Sequence, residues 1–256
     1  MEFQEMIKQK KGKTKILMLT AYDYQTAKIL DEMKIDAILV GDSLGTVVQG
    51  NNGTKDVTME DMIYHTRAVA RGAKNTQIIG DMPINSYNNP EDGLKNALKF
   101  LNAGAHAVKF EGNQPEVAKT LVQAGIPIMG HVGMLPQSAE SYKVKGKTTE
   151  EAEKILQDAT ELDACNVFSI VLECIPESLA KRITTRVKAP TIGIGAGKYC
   201  DGQVLVINDM LGLDKGFQPK FVKKYADLNT VIKDAVGKFK DEVLAGIYPD
   251  EEHTYH

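Results

Sequence analysis

The sequence is short of the features that mark secreted, zinc-binding and membrane proteins. It has no tryptophan, and its three cysteines are an odd number without C-x-x-C spacing. This argues against a disulfide framework or a zinc site. Its apolar runs fall well short of the ~20 residues that a membrane-spanning helix needs. The segment MEFQEMIKQKKGKTK at residues 1–15 lacks the apolar core of a signal peptide, so we expect a cytoplasmic protein.

Composition and charge indicate one globular domain and argue against some classes of partner. The formal net charge is −3 and the basic residues are scattered, so we expect neither nucleic acid nor a membrane as a partner. No linker rich in proline, serine or glycine divides the chain. Its 256 residues, 43% of them hydrophobic, are near the usual size of an eight-stranded α/β barrel. We therefore expect a single catalytic domain over residues 1–256.

Apolar runs typical of strands alternate along the chain with amphipathic helical stretches. Such alternation is typical of a parallel sheet with both faces covered. Eight strands in a chain of this length favour a closed (β/α)₈ TIM barrel over a doubly wound sheet, with a short N-terminal helix in front. The predicted strands are 16–22, 37–41, 77–82, 107–112, 126–132, 168–173, 189–195 and 203–209. Predicted helices include 24–33, 59–73, 90–104, 115–125, 149–164 and 228–246.

Ionisable or hydroxyl residues stand at the ends of five of these strands. The carboxyl ends of barrel strands open on one face, and that face carries the active site in enzymes of this fold. The sequence therefore predicts that these side chains line one pocket. They are Asp42 and Ser43, Asp81, Lys109 and Glu111, His131, and Glu173.

The three acids Asp42, Asp81 and Glu111 suggest a metal site. Carboxylates that meet in one barrel mouth repel one another, and a hard divalent cation removes that repulsion. Oxygen ligands with retained waters suit Mg²⁺. Each aspartate taken alone is equally well explained as the N-cap of the following helix, so the metal prediction depends on all three together.

Lys109 and Glu111 are predicted to face the same way. Side chains alternate along a strand, so residues two apart share a side. The pair is then a cation and an acid directed at one place. An ion pair that merely fills the barrel mouth is the alternative.

Glu173 is the candidate general base. An acid that ends the apolar run SIVLE would be partly removed from water, within reach of substrate. A salt-bridged structural glutamate is an equal alternative. His131 lies near the end of the segment MGHV, and the residues alone predict that it is a hydrogen-bonded side chain of the barrel mouth. Ser43 is predicted either to cap a loop or to bind a substrate carboxylate.

The glycines of IGIGAG (192–197) do not form a dinucleotide-binding motif. Lys198 stands where the third glycine of G-x-G-x-x-G would be. Small residues there instead allow a tight turn between a strand and a helix. The segment predicts such a turn, not a nucleotide site.

Ten segments in series resemble the ketopantoate hydroxymethyltransferase family over nearly the whole chain. No single motif is decisive, but the ordered set is highly specific. The segments are TAYD (20–23), GDSLGTVVQG (41–50), YHTRAV (64–69), GDMP (80–83), GAHAVKFEG (104–112), GHVGMLPQS (130–138), SIVLECIP (169–176), GIGAG (193–197), CDGQVLV (200–206) and PKFVKKYADL (219–228).

The resemblance implies a Mg²⁺-dependent barrel enzyme at the start of pantothenate biosynthesis. It implies transfer of a one-carbon unit from methylene-tetrahydrofolate to 3-methyl-2-oxobutanoate through an enolate, giving ketopantoate, and a homodecameric assembly. Carried onto this chain, the metal ligands are Asp42, Asp81 and Glu111. Contacts to the 2-oxo acid come from Asp42, Ser43, Asp81, Lys109 and His131, and Glu173 is the proton acceptor.

Two alternatives remain at the level of sequence. Another Mg²⁺-dependent 2-oxo-acid C–C lyase or mutase of the isocitrate-lyase type would share the acid cluster, although no catalytic cysteine motif of that type is present. A non-catalytic barrel with vestigial polar groups is the second alternative. The intact carboxylates and Lys109 argue against it.

Overall fold

The structure is a computed structural model that describes residues 3–139, 143–214, 216 and 218–256. Its internal contacts divide it into two compact units, Met1–Val206 and Ile207–His256. The first unit contains all eight strands of the barrel. The expectation of a single domain over residues 1–256 stays a prediction.

Within the described residues, eight parallel strands form a closed barrel in chain order. Each strand pairs with the next, and the last pairs with the first through neighbours such as Met18 and Val204. The predicted (β/α)₈ TIM barrel is confirmed. The strands are β1 Ile16–Thr20, β2 Ala37–Val40, β3 Gln77–Asp81, β4 Ala107–Lys109, β5 Ile128–Gly133, β6 Ser169–Glu173, β7 Thr191–Ile194 and β8 Gly202–Leu205.

Helices follow the strands, and a short helix precedes them as predicted. None of the helices that the structure describes is long and apolar enough to cross a membrane. Those of the first unit are α1 Phe3–Lys10, α2 Tyr24–Glu32, α3 Leu44–Val47, α4 Met59–Gly72, α5 Pro90–Asn102, α6 Pro115–Gln123, α7 Thr149–Ala164 and α8 Glu177–Arg186. The second unit contains α9 Ile207–Met210, α10 Leu228–Leu244 and a 3₁₀ turn at Glu251–His253.

The predicted eighth strand, 203–209, is wrong at its carboxyl end. The strand stops at Leu205, and α9 begins at Ile207. The N–H of Leu211 donates to the carbonyl of Ile207 at 2.9 Å, a helical bond. A short apolar run is compatible with either structure, so its sequence does not show where the strand ends.

Local signals account for the start of α5. The side chain of Asn89 accepts a hydrogen bond from the N–H of Asp92 at 2.9 Å, and Pro90 occupies the first helical position. Both residue types suit those positions, since the cap satisfies a free N–H and proline has none to lose. The sequence predicted this start correctly.

An apolar layer fills the barrel below its carboxyl end. Met18, Leu39 and Ile79 belong to one buried cluster inside the strands. Ile7 of α1 belongs to the same cluster as Ile16, the first residue of β1, so α1 covers the amino ends of the strands. The carboxyl ends of the strands lie at the opposite end of the barrel.

Along the strands, the inward-facing side chains change from apolar in this layer to polar at the carboxyl ends. Asp81 stands two residues beyond Ile79 on β3, and Glu173 stands two residues beyond Val171 on β6. Side chains two apart share a face, so both acids face the same interior as the apolar residues below them. The barrel thereby places polar side chains above an interior that excludes water.

Helix α5 lies directly on β3 just before Asp81. A Cβ built at Gly80 would lie 2.2 Å from Cδ1 of Phe100, whose ring is fully buried. Glycine is therefore required here by close packing. This contact fixes the strand that delivers Asp81 against its helix.

Gly80→Ala should lower the free energy of unfolding by about 1–3 kcal/mol, because the added methyl overpacks this contact. Urea denaturation measures the change. Gly53→Ala is the control: a Cβ there meets no atom within 4 Å, and we expect a change below about 0.5 kcal/mol. In a Phe100→Leu background the cost of Gly80→Ala should shrink. Equal stability of Gly80→Ala and Gly53→Ala would contradict the packing argument.

Candidate active site

The residues predicted for the site all lie at the carboxyl end of the barrel. They come from the ends of four neighbouring strands and from the loop after β2. Asp42 and Ser43 follow β2, Asp81 is the last residue of β3, Lys109 ends β4 with Glu111 two residues beyond, His131 lies in β5, and Glu173 ends β6.

A buried ion pair joins β3 and β4. Asp81 and Lys109 are register neighbours, and Nζ of Lys109 donates to Oδ1 and Oδ2 of Asp81 at 2.7 and 2.9 Å. Burial alone would lower the pKa of Lys109, but the charges of Asp81 and Glu111 outweigh it and raise that pKa. Lys109 is therefore a fixed positive charge at the floor of the site.

Asp42 brings further negative charge beside this pair. Its N–H donates to Oδ2 of Asp81 at 3.3 Å, and the residue is only 5% exposed. Burial, then the charge of Asp81, raise the pKa of Asp42 well above its usual range. The cluster thus holds more acid than Lys109 neutralises.

His131 lies between the other two acids. Its Nδ1 is 3.5 Å from Oε1 of Glu111, and its Nε2 is 3.3 Å from Oε2 of Glu173. Burial and the charge of Lys109 would lower the pKa of His131, but the two glutamates raise it to about 9. Burial would likewise raise the pKa of Glu111, but His131 and Lys109 lower it below its usual value. The imidazole of His131 therefore lies between two carboxyl groups that favour its protonated form.

The predicted pairing of Lys109 with Glu111 is also observed, although it is looser than the pairing with Asp81. Nζ of Lys109 lies 4.0 Å from Oε1 of Glu111. Phe110 between them is fully buried on the other side, with its ring centroid 5.5 Å from that of Tyr87. The alternation expected from the sequence therefore continues one residue pair beyond the strand.

Ser43 lies at the edge of the cluster and does not cap a helix with its side chain. Its Oγ is 2.9 Å from the hydroxyl of Tyr22, and the side chain makes no capping bond to α3. Nor does either aspartate act as an N-cap: Ser43 precedes α3, and Asn89 precedes α5. The helix-cap alternative for Asp42 and Asp81 is therefore wrong.

Two residues of the site were missed by sequence reasoning. Gln137 donates from Nε2 to Oδ2 of Asp42 at 2.8 Å, and the hydroxyl of Tyr87 donates to Oε1 of Gln137 at 2.5 Å. Both lie in loops that follow strands, where no periodic pattern indicates which side chains turn inward. A polar residue inside a segment shared with a family is the only signal that could have found Gln137.

The chemistry of the donor set suits a hard divalent cation. Asp42, Asp81 and Glu111 are all buried, and Oε1 of Glu111 accepts no hydrogen bond from any residue that the structure describes. Across the part of the chain that the structure describes, no three acid, imidazole or thiolate groups are already arranged to hold a metal. Both oxygens of Asp81 face Lys109 instead. The residues fit Mg²⁺ by type and burial, and binding requires the Asp81 carboxylate to be shared with Lys109.

Comparison with known proteins gives one consistent family. The family model for ketopantoate hydroxymethyltransferase matches residues 1–251. The 3-methyl-2-oxobutanoate hydroxymethyltransferase of Syntrophomonas wolfei is 52% identical over 253 residues, covering 96% of this chain and 92% of that protein. The protein of the same name from Caldicellulosiruptor saccharolyticus is 50% identical over 254 residues, covering 97% and 96%.

Solved structures share the fold at much lower sequence identity. A phosphonopyruvate hydrolase in complex with oxalate and Mg²⁺ has a TM-score of 0.66 at 10% identity, covering 100% of this chain and 92% of that one. A 2,3-dimethylmalate lyase, a member of the PEP mutase/isocitrate lyase superfamily, has a TM-score of 0.63 at 13% identity, covering 99% and 92%. At these identities the likeness concerns the barrel alone.

The pKa values of His131 and His106 should be shifted in opposite directions from the ordinary histidine value in the metal-free protein. The pKa values can be measured by NMR of the imidazole resonances with EDTA present. The pKa of His131 should be about 9, and that of His106 should lie below its ordinary value because partial burial lowers it. A folded pKa above the unfolded value means that protonated His131 stabilises the fold fully below about pH 6.5 and loses that contribution as pH rises through about 9. A midpoint for His131 at or below about 6.5 would contradict the effect of the two neighbouring glutamates on its pKa.

Proposed function

The chain belongs to the ketopantoate hydroxymethyltransferase family, and we propose that it forms ketopantoate by moving a one-carbon unit from methylene-tetrahydrofolate onto 3-methyl-2-oxobutanoate. The observation that carries this proposal is the continuous row of charged side chains at the barrel mouth. It runs from Asp81 and Lys109 through Glu111 and His131 to Glu173. His131 therefore lies between Glu173, the candidate base, and the charged residues around Lys109.

Mg²⁺ is proposed to bind to Asp42, Asp81 and Glu111. When bound, it would supply positive charge that stabilises the negative charge developing on the substrate oxygens. The raised pKa of Asp42, caused by burial and by Asp81, supports this assignment. It indicates an excess of negative charge in the metal-free site, and a divalent cation would balance that excess.

The 2-oxo acid is proposed to contact Asp42, Ser43, Asp81, Lys109 and His131. The substrate is an anion, and its ketone oxygen gains negative charge as the neighbouring carbon loses its proton. The buried ammonium of Lys109 is a preorganised charge for those oxygens. The Ser43 hydroxyl, held near that of Tyr22, can donate to the substrate carboxylate.

Glu173 is proposed to take the proton from C3 of the substrate. That C–H bond is a very weak acid, so the base must be held close to it and to the charge that stabilises the product anion. The Glu173 side chain is 15% exposed, and Nε2 of His131 lies 3.3 Å from its Oε2. His131 can therefore orient the base. Water hydrolyses the methylene group of the donor to formaldehyde and tetrahydrofolate, and the carbon nucleophile adds to the carbon of formaldehyde, whose oxygen takes up a proton and becomes the new hydroxyl.

A different reaction on the same barrel is the competing proposal. Lyases and mutases of the isocitrate-lyase type share the fold, but at 13% identity they do not indicate this chain's substrate. Product analysis with and without tetrahydrofolate separates the two reactions. A homodecamer in the cytoplasm remains an expectation from the family resemblance, and light scattering of the purified protein tests the assembly.

Glu173→Gln should bind metal and 2-oxo acid but lose about 10²–10⁴-fold in turnover, since the amide cannot accept the C3 proton. The direct measurement is folate-independent exchange of the C3 hydrogen of 3-methyl-2-oxobutanoate in D₂O, followed by NMR with Mg²⁺ and with EDTA. Exchange should require both Mg²⁺ and Glu173.

The matched control for this substitution is Glu116→Gln. Glu116 is 75% exposed and pairs with Lys119 at 2.8 Å, so its loss should leave exchange unchanged. Normal turnover by Glu173→Gln would show that another group is the base. If wild-type enzyme gives no exchange although substrate binds, adding tetrahydrofolate shows whether the donor must bind first.

Asp81→Asn should weaken binding of the 2-oxo acid in the presence of Mg²⁺ by at least about tenfold. The change removes a proposed metal ligand and leaves the ammonium of Lys109 with an uncharged partner. Isothermal titration with Mg²⁺ and with EDTA measures the metal-dependent part of the affinity.

Asp158→Asn is the control for Asp81→Asn. It also removes an aspartate paired with a lysine, Lys154, at 2.7 Å, but on the outer helix α7, where the Asp158 side chain is 18% exposed. We expect wild-type affinity from it. Equal affinities for wild type and Asp81→Asn in Mg²⁺ would remove Asp81 from the metal and substrate site.

A further inference from the structure

A glutamine in the loop after β5 connects two of the proposed metal ligands. Gln137 is 2% exposed. Its Nε2 donates to Oδ2 of Asp42 at 2.8 Å, and its backbone N–H donates to Oε2 of Glu111 at 3.1 Å. One residue therefore holds carboxylates that come from beyond the ends of two different strands, β2 and β4.

The two acceptors facing Nε2, together with the Tyr87 hydroxyl, fix the orientation of the Gln137 amide. The Tyr87 hydroxyl accepts the N–H of Glu111 at 3.3 Å, and it donates its hydrogen to Oε1 of Gln137 at 2.5 Å. The second hydrogen on Nε2 goes to the carbonyl of Met82 at 2.9 Å. A flipped amide would place its oxygen against two acceptors and its nitrogen against a donor, so only one orientation satisfies every group.

The carboxylate of Glu111 uses only one oxygen for hydrogen bonding within the part of the chain that the structure describes. Gln137 donates to Oε2, whereas the buried Oε1 accepts no hydrogen bond there. The nearest cationic groups to Oε1 are Nδ1 of His131 at 3.5 Å and Nζ of Lys109 at 4.0 Å. A buried acceptor without a donor is costly, and a bound cation would satisfy it.

We propose that Gln137, oriented by Tyr87, is a positioning residue for the metal ion. It holds one oxygen of Asp42 and one oxygen of Glu111, which leaves the second oxygen of each carboxylate for a shared divalent cation. The inference rests on the proposed metal site but on no contact with substrate or folate. Outer groups that orient metal ligands typically contribute 10–100-fold to affinity.

Mn²⁺ binding in the absence of substrate tests this role. Free Mn²⁺ is measured by electron paramagnetic resonance during titration of wild type, Gln137→Met and Tyr87→Phe. Gln137→Met keeps the length and burial of the side chain but loses the amide, so the Kd should rise about 10–100-fold. Tyr87→Phe should raise it less, because the amide keeps both of its acceptors.

A structural control separates positioning from general loosening of the loops. Ser86 precedes Tyr87 and is 4% exposed; its Oγ donates to the carbonyl of Pro83 at 2.7 Å, and it has no bond to a carboxylate. Ser86→Ala should keep wild-type Mn²⁺ affinity even where thermal unfolding shows lower stability. In turnover assays, excess Mg²⁺ should restore Gln137→Met but not Glu173→Gln.

The outcomes distinguish this inference from the proposed function beneath it. Wild-type protein that binds no Mn²⁺ would overturn the proposed metal site and the positioning role with it. Tight wild-type binding that Gln137→Met leaves unchanged would overturn the positioning role alone. If Gln137→Met does not fold, Tyr87→Phe decides, since it retains the ring packed on Phe110 at 5.5 Å: weakened binding supports the role, and unchanged binding overturns it.

Discussion

The buried ion pair between Lys109 and Asp81 is the constraint on which the rest of the site depends. Removing two charges from water is favourable only when their geometry is good and their other hydrogen-bonding groups are satisfied. Lys109 neutralises the charge of one carboxylate, but the carboxylates of Glu111 and Asp42 also lie close enough to raise its pKa. The remaining negative charge appears as the raised pKa of Asp42, caused by burial and Asp81, and as the raised pKa of His131 between two glutamates.

The barrel makes this concentration of charge possible. Its apolar interior excludes water below the site, and its parallel strands direct their carboxyl ends to one face. The contact of Gly80 with the ring of Phe100 shows how closely helix and strand must pack to hold one such end in place. The same packing that stabilises the fold therefore holds polar groups in an arrangement that by itself is unfavourable.

Residues in the loops fix the orientation of the carboxylates in this cluster. Tyr87 and Gln137 satisfy one another and two carboxylates through a network in which each donor has one acceptor. A network of this kind is favourable only when every member is satisfied. Oε1 of Glu111 accepts no hydrogen bond from the residues that the structure describes, and it is the atom at which the proposed cation would complete the network.

The sequence by itself determined the barrel and the residues at its carboxyl end. The two-residue period of a strand shows which side chains share a face, and that period sufficed for Lys109 and Glu111. It did not show where the last strand stops, because a short apolar run suits strand and helix alike. Only the tertiary structure decided that Lys109 pairs with Asp81, that His131 lies between two acids, and that Gln137 reaches Asp42. Those distances depend on strand register, barrel closure and loop paths between residues far apart in the chain, which no local pattern encodes.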